Sequence, residues 1–121
     1  MITETKTRQA DPDITIFEIA GRLNLGNSLM AVENTIRRLI EDGTRKLVID
    51  LASLTAIDSS GIGLLVTTAG QMEQHGGKLR VAGARDGVAK ALELVHLNRI
   101  VPLDYSVESA CQELAADAAG A

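Results

Sequence analysis

Apolar side chains recur along this chain with two periods, and the switch between them predicts its elements. Residues 14 to 20, Ile-Thr-Ile-Phe-Glu-Ile-Ala, are β-branched and partly alternating, as a strand requires. The segment from Ile2 to Arg8 alternates threonine with charge, which suits an edge strand, and Asp11-Pro12-Asp13 supplies the turn of a hairpin. Gly21 is expected to end the second strand, and a loop from Arg22 to Asn27 follows. From there the period lengthens. Leu29, Val32, Ile36, Leu39 and Ile40 share one face of a helix, with Ser28 as its expected N-cap and Gly43 as its stop.

The run Lys46 to Leu51 is short and almost continuously apolar, which predicts a central strand covered on both faces. A second helix begins at Ser59 or Ser60. Its expected core stripe is Ile62, Leu65, Val66, Ala69 and Met72, lying against Val48 and Ile49, and Gly76-Gly77 ends it. Leu79 to Ala82 is a further strand closed by Gly83. Val88, Ala91, Leu92 and Val95 mark a third helix, and Ile100 to Leu103 a last short strand. Val107, Ala110, Cys111 and Leu114 mark a fourth helix capped by Ser106, with Ala115 to Ala121 weak enough in pattern to fray. The order β-β-α-β-α-β-α-β-α implies one α/β domain over residues 1–121. Its sheet is expected to be mixed but mostly parallel, with an N-terminal hairpin, right-handed crossovers and about four packed helices.

Composition narrows the function. The only aromatic residues are Phe17 and Tyr105, so the core is aliphatic and no base-stacking platform for single-stranded nucleic acid exists. Twelve basic against sixteen acidic residues give a net charge of −4, which disfavours direct nucleic-acid binding. Cys111 is the single cysteine, expected as a small core residue, and it excludes an intrachain disulfide. His75 and His96 have no zinc-site spacing; His75 is expected at a helix C-terminus and His96 near the surface. No metal or cofactor is expected. The N-terminus lacks a signal-peptide pattern, and no apolar run approaches the ~20 residues of a membrane span. The expectation is a cytoplasmic protein with no membrane association.

Polar chemistry concentrates at one place, Asp58-Ser59-Ser60-Gly61-Ile62-Gly63, where a strand delivers the chain to a helix N-terminus. In open α/β sheets sites form at this carboxyl edge. Free N–H groups and the helix dipole there favour negative charge, so a phosphate on a serine would be stabilised by its own chain. Asp58 is expected to cap the helix and orient Ser59, and Ser60 to be a first-turn residue; a plain N-cap role for Ser59 is the simpler alternative. Gly61 and Gly63 either admit a partner's surface or pack against the sheet. A serine hydrolase would need a base and an orienting acid beside Ser59. No histidine is close in sequence, and no Gly-x-Ser-x-Gly elbow is present.

The octet Asp58-Ser59-Ser60-Gly61-Ile62-Gly63-Leu64-Leu65 resembles the signature of the anti-sigma factor antagonists, whose domain is called STAS. The resemblance spans the chain. It includes Gly21-Arg22-Leu23, Leu47-Val48-Ile49-Asp50-Leu51 and Gly77-Lys78-Leu79-Arg80-Val81-Ala82-Gly83. It implies a STAS fold and a protein that is a kinase substrate rather than an enzyme. In that family the serine after the aspartate, here Ser59, is phosphorylated by a serine kinase that doubles as the anti-sigma factor. The unphosphorylated antagonist binds the kinase and frees a sigma factor, and a metal-dependent serine phosphatase resets it. The partner-binding residues implied are Asn24, Asp58, Ser59, Ser60, Gly61, Ile62 and Gly63. Asn24 is a departure, because the family often has Asp after the Gly-x-Leu of the first loop. STAS domains also resemble subunits of stressosomes and of membrane lipid-transport complexes, which is the alternative role.

Overall fold

Strands β1 (Glu4–Ala10) and β2 (Ile14–Leu23) pair antiparallel, from Glu4 opposite Ala20 to Ala10 opposite Ile14. They form the expected hairpin in a computed structural model that describes residues 3–11 and 13–120, with side chains to residue 116. Ile2 and Pro12 of that hairpin, and Ala121 at the C-terminus, lie outside the described residues. Next come α1 (Asn27–Glu41), β3 (Lys46–Asp50), β4 (Leu54–Ile57), α2 (Ser59–Gln74) and β5 (Lys78–Ala82). The chain continues with α3 (Asp86–Leu94), a 3-10 turn at Leu97–Arg99, β6 (Leu103–Asp104) and α4 (Val107–Gly120). The sheet order is β1-β2-β3-β5-β6, parallel everywhere except the hairpin, and β4 pairs with the end of β2.

Alternation along the strands builds two cores. Phe17, Ile19, Leu47, Ile49, Leu51, Leu79 and Val81 pack with side chains of α1, α2 and α3. Ile14, Ile16, Val48 and Ala82 point the other way and meet Ala110 and Leu114 of α4. Both faces of β3 are thus covered, which is why its sequence reads as an almost continuous apolar run. Arg80 grips Asp104 bidentately, with Nε 2.6 Å and Nη2 3.1 Å from the carboxylate oxygens, fastening the two-residue β6 to β5.

Several expectations need correction. Gly21 does not end β2: its positive φ of 89° accompanies a register shift, and the strand runs on to Leu23 beside β4. Between Leu51 and Ser59, where the sequence pattern predicts no element, lies that fourth strand. Ser28 is not the cap of α1; Gly26 holds that position without a side-chain bond, and Asn27 is the first helical residue. The last strand is Leu103–Asp104 rather than Ile100–Leu103, because Ile100 caps the preceding 3-10 turn and Pro102 has no N–H to give a ladder. Val95 and His96 lie beyond α3, and both are exposed.

The stripe of α2 is also rotated. Its buried residues are Gly61, Leu64, Leu65, Thr68 and Met72, whereas Ile62, Val66 and Ala69 are only half-buried. Hydrophobicity alone misses Gly61 and Thr68. Thr68 tolerates full burial because its hydroxyl donates to the Leu64 carbonyl at 2.8 Å. Val48 faces α4 rather than α2. Other end signals hold. Gly76 N–H reaches Glu73 O and Gly77 N–H reaches Met72 O, a Schellman ending for α2. The His75 ring lies 2.8 Å from the Gln71 carbonyl, and Ser106 Oγ accepts from Ser109 N–H at 3.1 Å. Among the described residues no helix is long and apolar enough to cross a membrane.

Candidate functional site at the start of helix α2

β4 runs beside the last residues of β2 and ends at Ile57, so the chain enters α2 pressed against the β2–α1 loop. Asp58 N–H continues the pairing by donating to Leu23 O at 3.3 Å, and Asp58 C=O accepts the first helical bond from Ile62 N–H at 3.0 Å. The Asp58 side chain then works in two directions. Its Oδ1 accepts from Gly61 N–H at 3.0 Å, capping the helix as expected. Its Oδ2 accepts from Leu25 N–H, also at 3.0 Å, fastening the β2–α1 loop to the helix start.

These backbone donors, Leu25 first and Gly61 second, hold the Asp58 carboxyl below its ordinary range. A carboxyl whose folded pKa is depressed adds stability above its unfolded value of about 3.9 and loses it as the pH falls through the folded value. Asp58→Asn is therefore expected to flatten the acid limb of a plot of unfolding free energy against pH below about pH 4. An unchanged slope in urea titrations at pH 2–5 would count against the clasp.

Ser59 is the first residue of α2 and is exposed, while Ser60 is half-buried. Asn24 sits between Leu23 and Leu25, both of which are bonded to Asp58, so it shares the rim of the site with Ser59. Ile62 is half-buried against the main core, and Gly63 is exposed. The geometry separates the two glycines that the sequence left equivalent. A Cβ on Gly61 would collide with the Leu23 carbonyl oxygen and lie 2.8 Å from Ile57 Cγ1, so this residue is buried packing against β2 rather than open surface. A Cβ on Gly63 would meet nothing within 4 Å. Gly61→Ala is expected to destabilise by about 1–3 kcal/mol through overpacking. Gly63→Ala is expected to stabilise by up to about 1 kcal/mol, the ordinary helix gain over glycine. Chemical denaturation of the pair checks this, and equal shifts would contradict it.

Sequence reasoning missed Leu25. Its amide donates to Asp58 Oδ2, and its side chain is 77% exposed, an apolar group in a polar loop. Met30, 62% exposed in α1, is a second such group. An apolar residue between Asn24 and Gly26 was the available signal. The hydrolase reading loses its geometry. α2 has 16 residues at ~1.5 Å each, so His75 lies about 24 Å from Ser59. His96 follows α3, and in this parallel crossover arrangement the helix C-termini lie at the opposite edge of the sheet.

Fold and site together place an exposed serine at the start of a helix whose cap is Asp58. The chain matches the STAS domain family model over residues 5–110, and it belongs to that family. An anti-sigma-B factor antagonist of Staphylococcus aureus is 24% identical over 91 residues, covering 75% of this chain and 83% of that protein. Among solved structures, an anti-sigma factor antagonist from Mycobacterium paratuberculosis superposes with a TM-score of 0.80 at 22% identity, covering 93% of each chain. The Bacillus cell fate determinant SpoIIAA in its phosphorylated form gives 0.71 at 17% identity, covering 92% of this chain and 99% of that one. These likenesses bear out the mixed, mostly parallel STAS fold.

Proposed function

We propose that the chain is an anti-sigma factor antagonist, a protein-binding module of the cytoplasm switched by phosphate on Ser59. The observation that carries this reading is the placement of Ser59. It is exposed, at the first position of a helix whose cap is already supplied by Asp58, so its hydroxyl is not needed to hold the helix start. The names of the relatives support the same role. In the unphosphorylated state the surface formed by Asn24, Ser59, Ile62 and Gly63 binds an anti-sigma factor that is also a serine kinase, releasing the sigma factor and so regulating transcription. Asp58 and Gly61 act from beneath by holding that surface.

The chemistry belongs to the partner. Ser59 Oγ attacks the γ-phosphorus of the kinase's ATP, the bond to the ADP oxygen breaks, and the hydroxyl proton passes to a base of the kinase. A serine phosphatase hydrolyses the ester and restores the hydroxyl. Incubation with ATP and the cognate kinase, followed by site mapping, tests the reading. Phosphate is expected on Ser59 and absent from Ser59→Ala, with partner binding retained. Phosphate on Ser60 with Ser59 unmodified would overturn the assignment.

A further inference from the structure

We infer that Asp58 is a positioning residue that carries the phosphorylation state of Ser59 across to the β2–α1 loop, by releasing the Leu25 amide when Ser59 bears a phosphate. The inference rests on the proposed modification of Ser59 and adds to it a route by which the modification is felt outside α2. One planar carboxylate makes both bonds, to Gly61 N–H and to Leu25 N–H, each at 3.0 Å. Its two oxygens cannot move independently. Rotation about the Cβ–Cγ bond moves both oxygens, so turning Oδ1 off Gly61 in this way also turns Oδ2 off Leu25.

A phosphate on Ser59 supplies the cause of such a rotation. It brings about −1.5 to −2 charges and three strong acceptor oxygens to the residue next to Asp58. Those oxygens compete for the same first-turn amides that Asp58 caps, and a dianion is the stronger competitor. The like charge of the two groups also disfavours their sharing one helix end. The helix start loses nothing in the exchange, because one acceptor replaces another. The loop does lose, because Asp58 Oδ2 ties its Leu25 amide to the start of α2. The segment released carries Leu25, the exposed apolar group beside Asn24, so the modification alters the shape of the surface as well as its charge.

The test uses the full chain, with phosphoserine installed at position 59 during synthesis, and reads backbone amides by NMR-detected hydrogen exchange. The unmodified protein is expected to protect Leu25 N–H. Phosphoserine at 59 is expected to speed its exchange at least about tenfold, the loss of one hydrogen bond to a charged acceptor. Gly77 N–H, bonded to Met72 O at 2.7 Å far along the helix, is expected to stay unchanged. Asp58→Asn keeps a capping oxygen but turns an N–H₂ group toward Leu25, so exchange there should be fast with or without the phosphate. Should that variant fail to fold, Asp58→Ser caps with a single acceptor and serves the same purpose. Leu25 protection unaffected by phosphate in the natural sequence would overturn the inference, as would an undiminished phosphate effect in both variants. Because the phosphate is installed rather than transferred, the result stands apart from whether a kinase modifies Ser59, which site mapping decides.

Discussion

Leu65→Ala is expected to lower the free energy of unfolding by about 2–5 kcal/mol, the range for truncating a leucine in a core that cannot collapse around the gap. Leu65 is fully buried, in the apolar core that α1, α2 and α3 form against the sheet. Ile62→Ala and Val66→Ala remove similar side chains from the same helix, yet both residues are half-buried. Their expected cost is nearer 1 kcal/mol, the centre of the distribution for single substitutions. Urea denaturation of the three variants reads the difference directly. Equal losses at 62, 65 and 66 would place α2 in the orientation that its hydrophobicity suggests rather than the one that buries Leu64, Leu65 and Thr68. The comparison bears on the site, because the rotation of α2 that buries Gly61 and Leu64 also turns Ser59 and Gly63 to the surface.

The long periodic elements were legible in the sequence because burial dictates their pattern. α1 shows this well: Val32, Ile36 and Ile40 are buried where its stripe placed them, with Leu29 and Leu39 packed alongside. β3 read as doubly covered and is. What stayed hidden depends on partners remote in sequence. β4 is a four-residue strand whose pairing with Gly21 to Leu23 carries a register shift that no local period records. The buried face of α2 includes a glycine and a threonine, which hydropathy does not count. At the site, the Asp58 cap was readable from residue type and position. The second bond of that carboxylate was not, since the Leu25 amide lies 33 residues away in sequence and any residue but proline offers an N–H.

The second large effect concerns the switch itself. Phosphate on Ser59 is expected to weaken binding of the partner kinase at least about tenfold, which needs only ~1.4 kcal/mol. Three contributions act together. The added oxygens fill space at an exposed helix start where a partner's surface would otherwise rest beside Gly63. Binding must also strip water from a group of about two negative charges. Any acidic side chain or nucleotide phosphate on the facing surface adds repulsion. The fold itself should hardly change. The first-turn amides and the dipole of α2 accommodate the charge, and Ser59 is exposed and belongs to neither hydrophobic core. Ser59→Asp is expected to reproduce the loss only in part, since a carboxylate carries less charge and fewer acceptor oxygens.

Calorimetric titration of the cognate anti-sigma kinase with the Ser59 and phospho-Ser59 forms tests the central claim most directly. The account predicts clear binding of the unmodified form and an affinity for the phosphorylated form lower by about tenfold or more. Equal affinity of the two forms would contradict it, and would leave the chain as a constitutive STAS scaffold.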